Sequence, residues 1–314
     1  RQSTLRAVSP LFHMSESSQP VLPESARPVL QRRRSVSSVD RCDSEFTVVC
    51  FGDSNTWGAS GKGDEQGQRL PHKARWTTQL DVALGGLAHV IPEGLCGRTT
   101  IIDDPHNFVG VGGGSGEASC GRRYLTPMLH SHKPVDLVVL GLGCNDMKVR
   151  FGLLPSEVAK GAKCLIDDIR RSRAGPGGAP PKIVLLSPPQ VRMAEELDFH
   201  PYFGPQREAT SREVIAEYAA LALAEGLEGF ISLADVRTSD DGLHFDAEGS
   251  GLIAAAVSKA VAAALEIDLE PKAPEASAEA SAEAMGRDVA AAEAGAEAGA
   301  AGAADEVVVL EAAE

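Results

Sequence analysis

Aromatic side chains are scarce in this chain of 314 residues: Phe, Trp and Tyr make up 4%, with only two Trp and three Tyr. Sites that hold sugar rings by stacking draw on such side chains, so the shortage counts against a carbohydrate ligand. Positive charge is also in deficit, with 30 Lys and Arg against 44 Asp and Glu and a formal charge of −14. Nucleic-acid binding needs a clustered basic face, and none is visible, which argues against that class of partner. No apolar run approaches the roughly 18 residues of a membrane-spanning helix, so no membrane span is expected. Cys42, Cys50, Cys96, Cys120, Cys144 and Cys164 lie far apart, with no CxxC pair and no histidine at zinc spacing. They read as reduced structural thiols rather than a disulfide framework or a metal site. His130 and His132 form an HxH without further ligands, the pattern of a helix end at the surface, and no metal is expected there.

What is present suffices for a sizeable core, since 43% of residues are apolar. The charge is uneven. Residues 1–44 hold seven Arg against four acids, whereas residues 267–314 hold two basic residues against twelve acids. The opening segment mixes Ser, Pro and Arg without periodicity and is expected to be disordered. Its Arg32-Arg33-Arg34-Ser35 suits either a basophilic kinase or a solvated basic tether. From 267 onward, repeated Ala, Glu, Ser and Gly form a low-complexity acidic tail with no apolar stripe to dock. Both tails are candidate docking segments for unidentified protein partners, Val307–Leu310 being a short aliphatic run among acids. Reduced thiols favour a cytoplasmic setting. The Arg- and Ser-rich opening, which begins at Arg1 rather than Met, leaves organellar targeting open.

Between the tails, residues 45–266 read as one α/β domain. Phe46–Phe51, Val135–Leu140 and Lys182–Leu186 are short β-branched apolar runs, the pattern of strands buried on both faces. His89–Ile91 and Gly229–Leu233 are weaker candidates. Helical stretches are expected near 73–86, 121–132, 155–172, 206–225 and 246–265. Strands alternating with helices imply right-handed crossovers and a five-stranded, doubly wound parallel sheet with helices on both faces, in a flavodoxin-like order. Ligands of such sheets bind beyond the carboxyl ends of the strands. Three small polar clusters follow strands there: Gly52-Asp53-Ser54-Asn55-Thr56, Gly94-Leu95-Cys96-Gly97-Arg98 and Gly141-Leu142-Gly143-Cys144-Asn145-Asp146.

Ser54 sits where a buried strand gives way to a helix, so its hydroxyl would project from a sharp turn beside unpaired helix N–H groups. Asp53 or Ser54 serving only as an N-cap explains that segment equally well. Asp241-Gly242-Leu243-His244, ahead of a long amphipathic helix, supplies what a weak serine nucleophile requires: a base and a group that fixes its tautomer. A DxxH alone is common, and a polar loop before a helix also accounts for it. Asn145 offers a side-chain N–H and Gly97 a backbone N–H unobstructed by a Cβ, donors of the kind that stabilise a developing oxyanion. Each alone is equally a capping or turn residue. Gly110–Gly116 lacks the Gly-Lys-Ser/Thr ending of a phosphate loop, no GxSxG elbow occurs, and the first strand lacks a GxGxxG.

Taken together, these blocks resemble the SGNH (GDSL-type) hydrolase family. Gly52-Asp53-Ser54-Asn55-Thr56-Trp57-Gly58 is similar to its first block, Gly97 to its second, Gly143-Cys144-Asn145-Asp146 to its third and Asp241-Gly242-Leu243-His244 to its last, in order over about 190 residues. Trp57, Arg75-Trp76-Thr77, the run Glu93–Thr100, Ile102-Asp103-Asp104-Pro105 and Leu186-Ser187-Pro188-Pro189 further resemble a subgroup of aryl esterases and acyltransferases, over residues 46–265. A glycine-rich stretch between Pro105 and Tyr124 is longer than the corresponding subgroup loop. The resemblance implies a flavodoxin-like fold and a triad of Ser54, His244 and Asp241. It implies an oxyanion hole from Ser54, Gly97 and Asn145, with neither metal nor cofactor.

The expected activity is that of a serine esterase on short-chain acyl or aryl esters, with acyl transfer to an alcohol as a variant. Carbohydrate O-acetyl esterase, lysophospholipase and thioesterase activities need the same machinery. A catalytically silent interaction protein is the alternative of a different class. Trp57, Arg98 and Cys144 are candidate pocket residues, although packing and a surface ion pair account for Trp57 and Arg98 equally, and Cys144 reads as a space-filler. A small-molecule ester is the expected partner, and a homo-oligomer is open.

Overall fold

The structure, a computed structural model, describes residues 44–61, 69–106, 119–192 and 200–269. The opening segment through residue 43, nearly all of the acidic tail, and the glycine-rich stretch between 107 and 118 lie outside the described residues. The elements, in chain order, are β1 (Phe46–Gly52), α1 (Ser54–Trp57), α2 (Trp76–Ala83), β2 (Ala88–Gly94), α3 (Gly121–His132), β3 (Leu137–Gly141), α4 (Pro155–Ser172), β4 (Lys182–Pro189), α5 (His200–Phe203), α6 (Arg207–Glu225), β5 (Gly229–Leu233) and α7 (Ala247–Leu265). The strands form one sheet in the order β2-β1-β3-β4-β5, every pair parallel, which is the flavodoxin-like arrangement.

Alternation along the central strands explains the two layers. Val49 and Phe51 of β1, Val138 and Leu140 of β3, and Ile183 and Leu185 of β4 face one core shared with α3, α4 and α6. Val48 and Cys50, Leu137 and Val139, and Val184 and Leu186 face the other, shared with α2 and α7. Burial on both faces is why these strands read as continuous apolar runs. Helix α4 shows the complementary period: Val158, Ala162, Leu165, Ile166 and Ile169 form its buried stripe. Its first turn is closed by the Leu154 N–H donating to Glu157 Oε2 at 2.8 Å.

One helix departs from the sequence expectation. By length and composition α7 is apolar enough to cross a membrane, because Ala dominates even its outer face. It packs instead as a core helix, with Ile253, Ala254, Val257 and Val261 against α2, β4 and β5. None of the five described cysteines is in a disulfide.

At the carboxyl edge, Gly52 is in register with Gly94 on one side and Gly141 on the other. These glycines let α1 settle onto the sheet edge: a Cβ on Gly94 would lie 2.2 Å from the Trp57 backbone nitrogen, and one on Gly52 would lie 2.0 Å from Thr56 Oγ1. The neighbouring strands of β1 run to connections on opposite sides of it, so the crevice outside β1 and β3 is the topological switch point.

Candidate active site

Residues from both ends of the domain meet at that crevice. Asp53 takes the capping role at α1, its Oδ1 accepting the Asn55 N–H at 3.0 Å, and this leaves the Ser54 hydroxyl free of it. Ser54 Oγ lies 2.8 Å from His244 Nε2, and His244 Nδ1 lies 2.6 Å from Asp241 Oδ2. The loop bearing Asp241 and His244 is shaped by its own backbone: Ser239 N–H donates to the His244 carbonyl at 2.7 Å, and Thr238 bridges Phe245. Asp241 Oδ1 accepts the N–H groups of Leu243 and His244 and the Ser239 hydroxyl, each at 2.9 Å. Burial pushes the Asp241 carboxyl up, but the hydrogen bond and charge of His244, with those backbone donors, outweigh it and hold it below the ordinary carboxylate range. An ionised Asp241 assigns the ring proton to Nδ1, so Nε2 presents its lone pair to Ser54.

At the same sheet edge as Ser54 are the turn after β2 and the loop after β3, since Gly52 is in register with Gly94 and Gly141. Gly97 has φ of +79°, a left-handed backbone that favours glycine. Among the described residues neither the Ser54 N–H nor the Gly97 N–H donates a hydrogen bond. Asn145 is 7% exposed and spends one amide hydrogen on the Arg98 carbonyl at 3.1 Å, which fixes the amide and leaves its second N–H. The two loops are clamped beside it: the Thr100 N–H reaches both carboxylate oxygens of Asp146 at 3.0 Å. Burial raises the Asp146 carboxyl to about 6 and does the same for Asp53.

The three further pocket candidates occupy different surroundings. Arg98 is 3% exposed. It donates through Nη1 to the carbonyls of Gly52 and Glu93 and lies over the Phe51 ring at 4.3 Å, so it braces the ends of β1 and β2. Its outer side lines an open cavity of ≈ 380 Å³ with Leu95, Cys120 and Tyr124. Trp57, half-buried at the end of α1, lies under the Arg69 guanidinium at 4.6 Å. Cys144 is packed into the core with Leu142 and Met147, and burial pushes its thiol well up, the state of an inert space-filler.

Two residues beyond those candidates shape the site. Asn55 ties α1 to the His244 loop: Nδ2 donates to the Leu243 carbonyl at 3.3 Å and Oδ1 accepts the Phe245 N–H at 3.2 Å. Asp104, fully buried, accepts from Lys148 Nζ at 3.2 Å and Arg150 Nη2 at 2.5 Å, anchoring its segment to the loop after β3. Both stand inside motif runs, but which distant loop they reach leaves no local signature.

Comparison with known proteins agrees with this architecture. The profile of the GDSL-like Lipase/Acylhydrolase family matches residues 50–252. A carbohydrate acetylesterase from Sinorhizobium meliloti is 33% identical, the alignment covering 70% of this chain and 99% of that one, with a TM-score of 0.61. The native aryl esterase of M. smegmatis is also 33% identical, covering 69% of this chain and 98% of that one, with a TM-score of 0.61. A second Sinorhizobium meliloti structure, of a carbohydrate acetylesterase family member, is 34% identical over 70% and 99% of the two chains, with a TM-score of 0.62. No curated protein gives a significant sequence match to the chain. With a family match across most of its length and esterase structures above 30% identity that align over nearly their whole length, this chain belongs to the GDSL-like lipase/acylhydrolase family, of the SGNH fold, and is a hydrolase of ester bonds.

Proposed function

We propose that the chain cleaves short-chain acyl and aryl esters through an acyl-enzyme on Ser54, with His244 as general base and Asp241 orienting it. The single observation that carries this reading is the hydrogen-bonded relay from Asp241 through His244 to Ser54, at 2.6 and 2.8 Å. His244 Nε2 takes the Ser54 proton as Oγ bonds to the ester carbonyl carbon. The carbonyl electrons move onto oxygen, held by the N–H groups of Ser54, Gly97 and Asn145. Collapse breaks the bond to the alcohol, which leaves with the proton from His244. Water, or another alcohol, then attacks the acyl-enzyme by the same steps in reverse, regenerating Ser54. Hydrolysis and acyl transfer thus differ only in the nucleophile admitted at the second stage.

Support for small acyl groups comes from the similarity to an aryl esterase and to carbohydrate acetylesterases at about equal identity. The second of these favours acetylated carbohydrate as a rival substrate, while the scarcity of aromatic side chains favours simple esters. The test is hydrolysis of p-nitrophenyl esters of increasing acyl length, with and without added alcohol, beside acetate release from acetylated xylan. Activity is expected to be highest on acetate and propionate esters, to vanish in Ser54→Ala, and to be matched by fluorophosphonate labelling of Ser54. Wild-type turnover in Ser54→Ala, or no adduct at Ser54 in folded protein, refutes the proposal.

A further inference from the structure

The serine and histidine come from loops 190 residues apart, so something must set the distance between them. Most hydrogen bonds around His244 do not. Those from Asp241 and Ser239 lie within the loop, where they fix its internal shape and the ring tautomer, and the Arg192 N–H, which donates to the Gly242 carbonyl at 2.9 Å, holds the loop to the segment after β4 rather than to the serine turn. Asn55, next to the serine, crosses the gap twice. Its amide oxygen accepts from the Phe245 N–H and its amide nitrogen donates to the Leu243 carbonyl, so the two bonds bracket His244 on both sides. The backbone of Asn55 is itself held, its N–H by Asp53 at 3.0 Å and its carbonyl by Trp76 Nε1 at 3.2 Å. A short amide anchored at both backbone groups is a stiff spacer between the serine turn and the base.

We infer that Asn55 is a positioning residue: it sets the Ser54 Oγ to His244 Nε2 distance and thereby the rate of proton removal from the serine. This rests on the proposed roles of Ser54 and His244. The physical basis is that catalysis between two side chains tolerates little misplacement, an error of about 1 Å costing on the order of a hundredfold. The role needs a donor and an acceptor on one short side chain. Leu lacks both, and Asp keeps the acceptor for Phe245 but turns an anion toward the Leu243 carbonyl.

The test is a double-mutant cycle on full-length protein, with p-nitrophenyl acetate as probe. Asn55→Leu is expected to lower kcat about 10- to 100-fold with KM within about twofold. In a His244→Ala background the same change should have no further effect on the residual rate, because a spacer is worthless once the base is gone. Asn55→Asp provides a second variant should Leu impair folding, which circular dichroism would report. It is expected to lose kcat and to shift the acidic limb of the pH–rate profile upward, since it adds a negative charge beside the imidazole. A wild-type kcat in Asn55→Leu overturns the inference, as does an equal fractional loss with and without His244. If Ser54→Ala and His244→Ala themselves retain full activity, the proposed mechanism has failed instead, and the two failures are told apart.

Discussion

Replacing Asp241 by Asn separates orientation of the proposed base from folding of its loop. In the native site Oδ1 faces two backbone N–H groups and the Ser239 hydroxyl, all at 2.9 Å, while Oδ2 faces His244 Nδ1 at 2.6 Å. The three donors around Oδ1 dictate how an Asn amide must sit: its oxygen takes the Oδ1 place, since a flip would set an NH₂ against two N–H groups. The NH₂ then points at Nδ1 and forces that nitrogen to accept. The ring proton moves to Nε2, which can no longer receive the serine proton. Loss of the correct tautomer costs roughly 10³- to 10⁴-fold in kcat, about 4 to 5.5 kcal/mol of barrier. The loop keeps its backbone hydrogen bonds, so the melting temperature should fall by no more than a few degrees. Asp241→Ala, by contrast, strands the two N–H groups and should lose both activity and stability. Initial rates on p-nitrophenyl acetate, read beside thermal melts, make the comparison. An Asn variant retaining more than a tenth of wild-type kcat would refute the tautomer argument.

Two further outcomes follow from the same geometry. Asn145→Ala removes one of the proposed oxyanion donors and should lower kcat about 100- to 1,000-fold with KM within a few-fold, measured by steady-state kinetics; an unchanged kcat would remove Asn145 from the oxyanion hole. Asp146, raised by burial to about 6, keeps its proton in the fold where the unfolded chain, at about 3.9, has released it. Its ionisation therefore weakens the fold progressively as pH rises from about 4 to 6, with the full cost present above that window. Asp146→Asn can still accept from Thr100 and carries no such cost, so its urea stability relative to wild type should improve between pH 4.5 and 7.5. A difference that does not change with pH would contradict this.

The central strands were legible because burial on both faces leaves apolar β-branched runs, as in Val48–Phe51 and Leu137–Leu140. β2 and β5 gave weak signals for a physical reason: both are sheet edges, half covered, and β2 carries Pro92. The single-turn helices α1 and α5 are too short to display a period. The apolarity of α7 was underestimated, because alanine is apolar enough to extend a hydrophobic stretch yet small enough to sit on an exposed face. At the site, Ser54, Gly97, Asn145, Asp241 and His244 stood out because each lies in a short run of distinctive residues after a strand or before a helix. Asn55 and Asp104 lie in such runs too, but their roles were not legible, since the partners that define them are 188 and 46 positions away.

The order of the parts along the chain has a consequence in time. Ser54 emerges from the ribosome 190 residues ahead of His244, an interval of roughly 10 to 40 s at ordinary rates of synthesis. On the proposed mechanism, until α7 is translated and closes over β4 and β5, the nascent polypeptide carries an alcohol without the base assigned to it. By that mechanism a growing chain of this design cannot attack esters around it; chemical competence arrives only as the loop ahead of α7 docks.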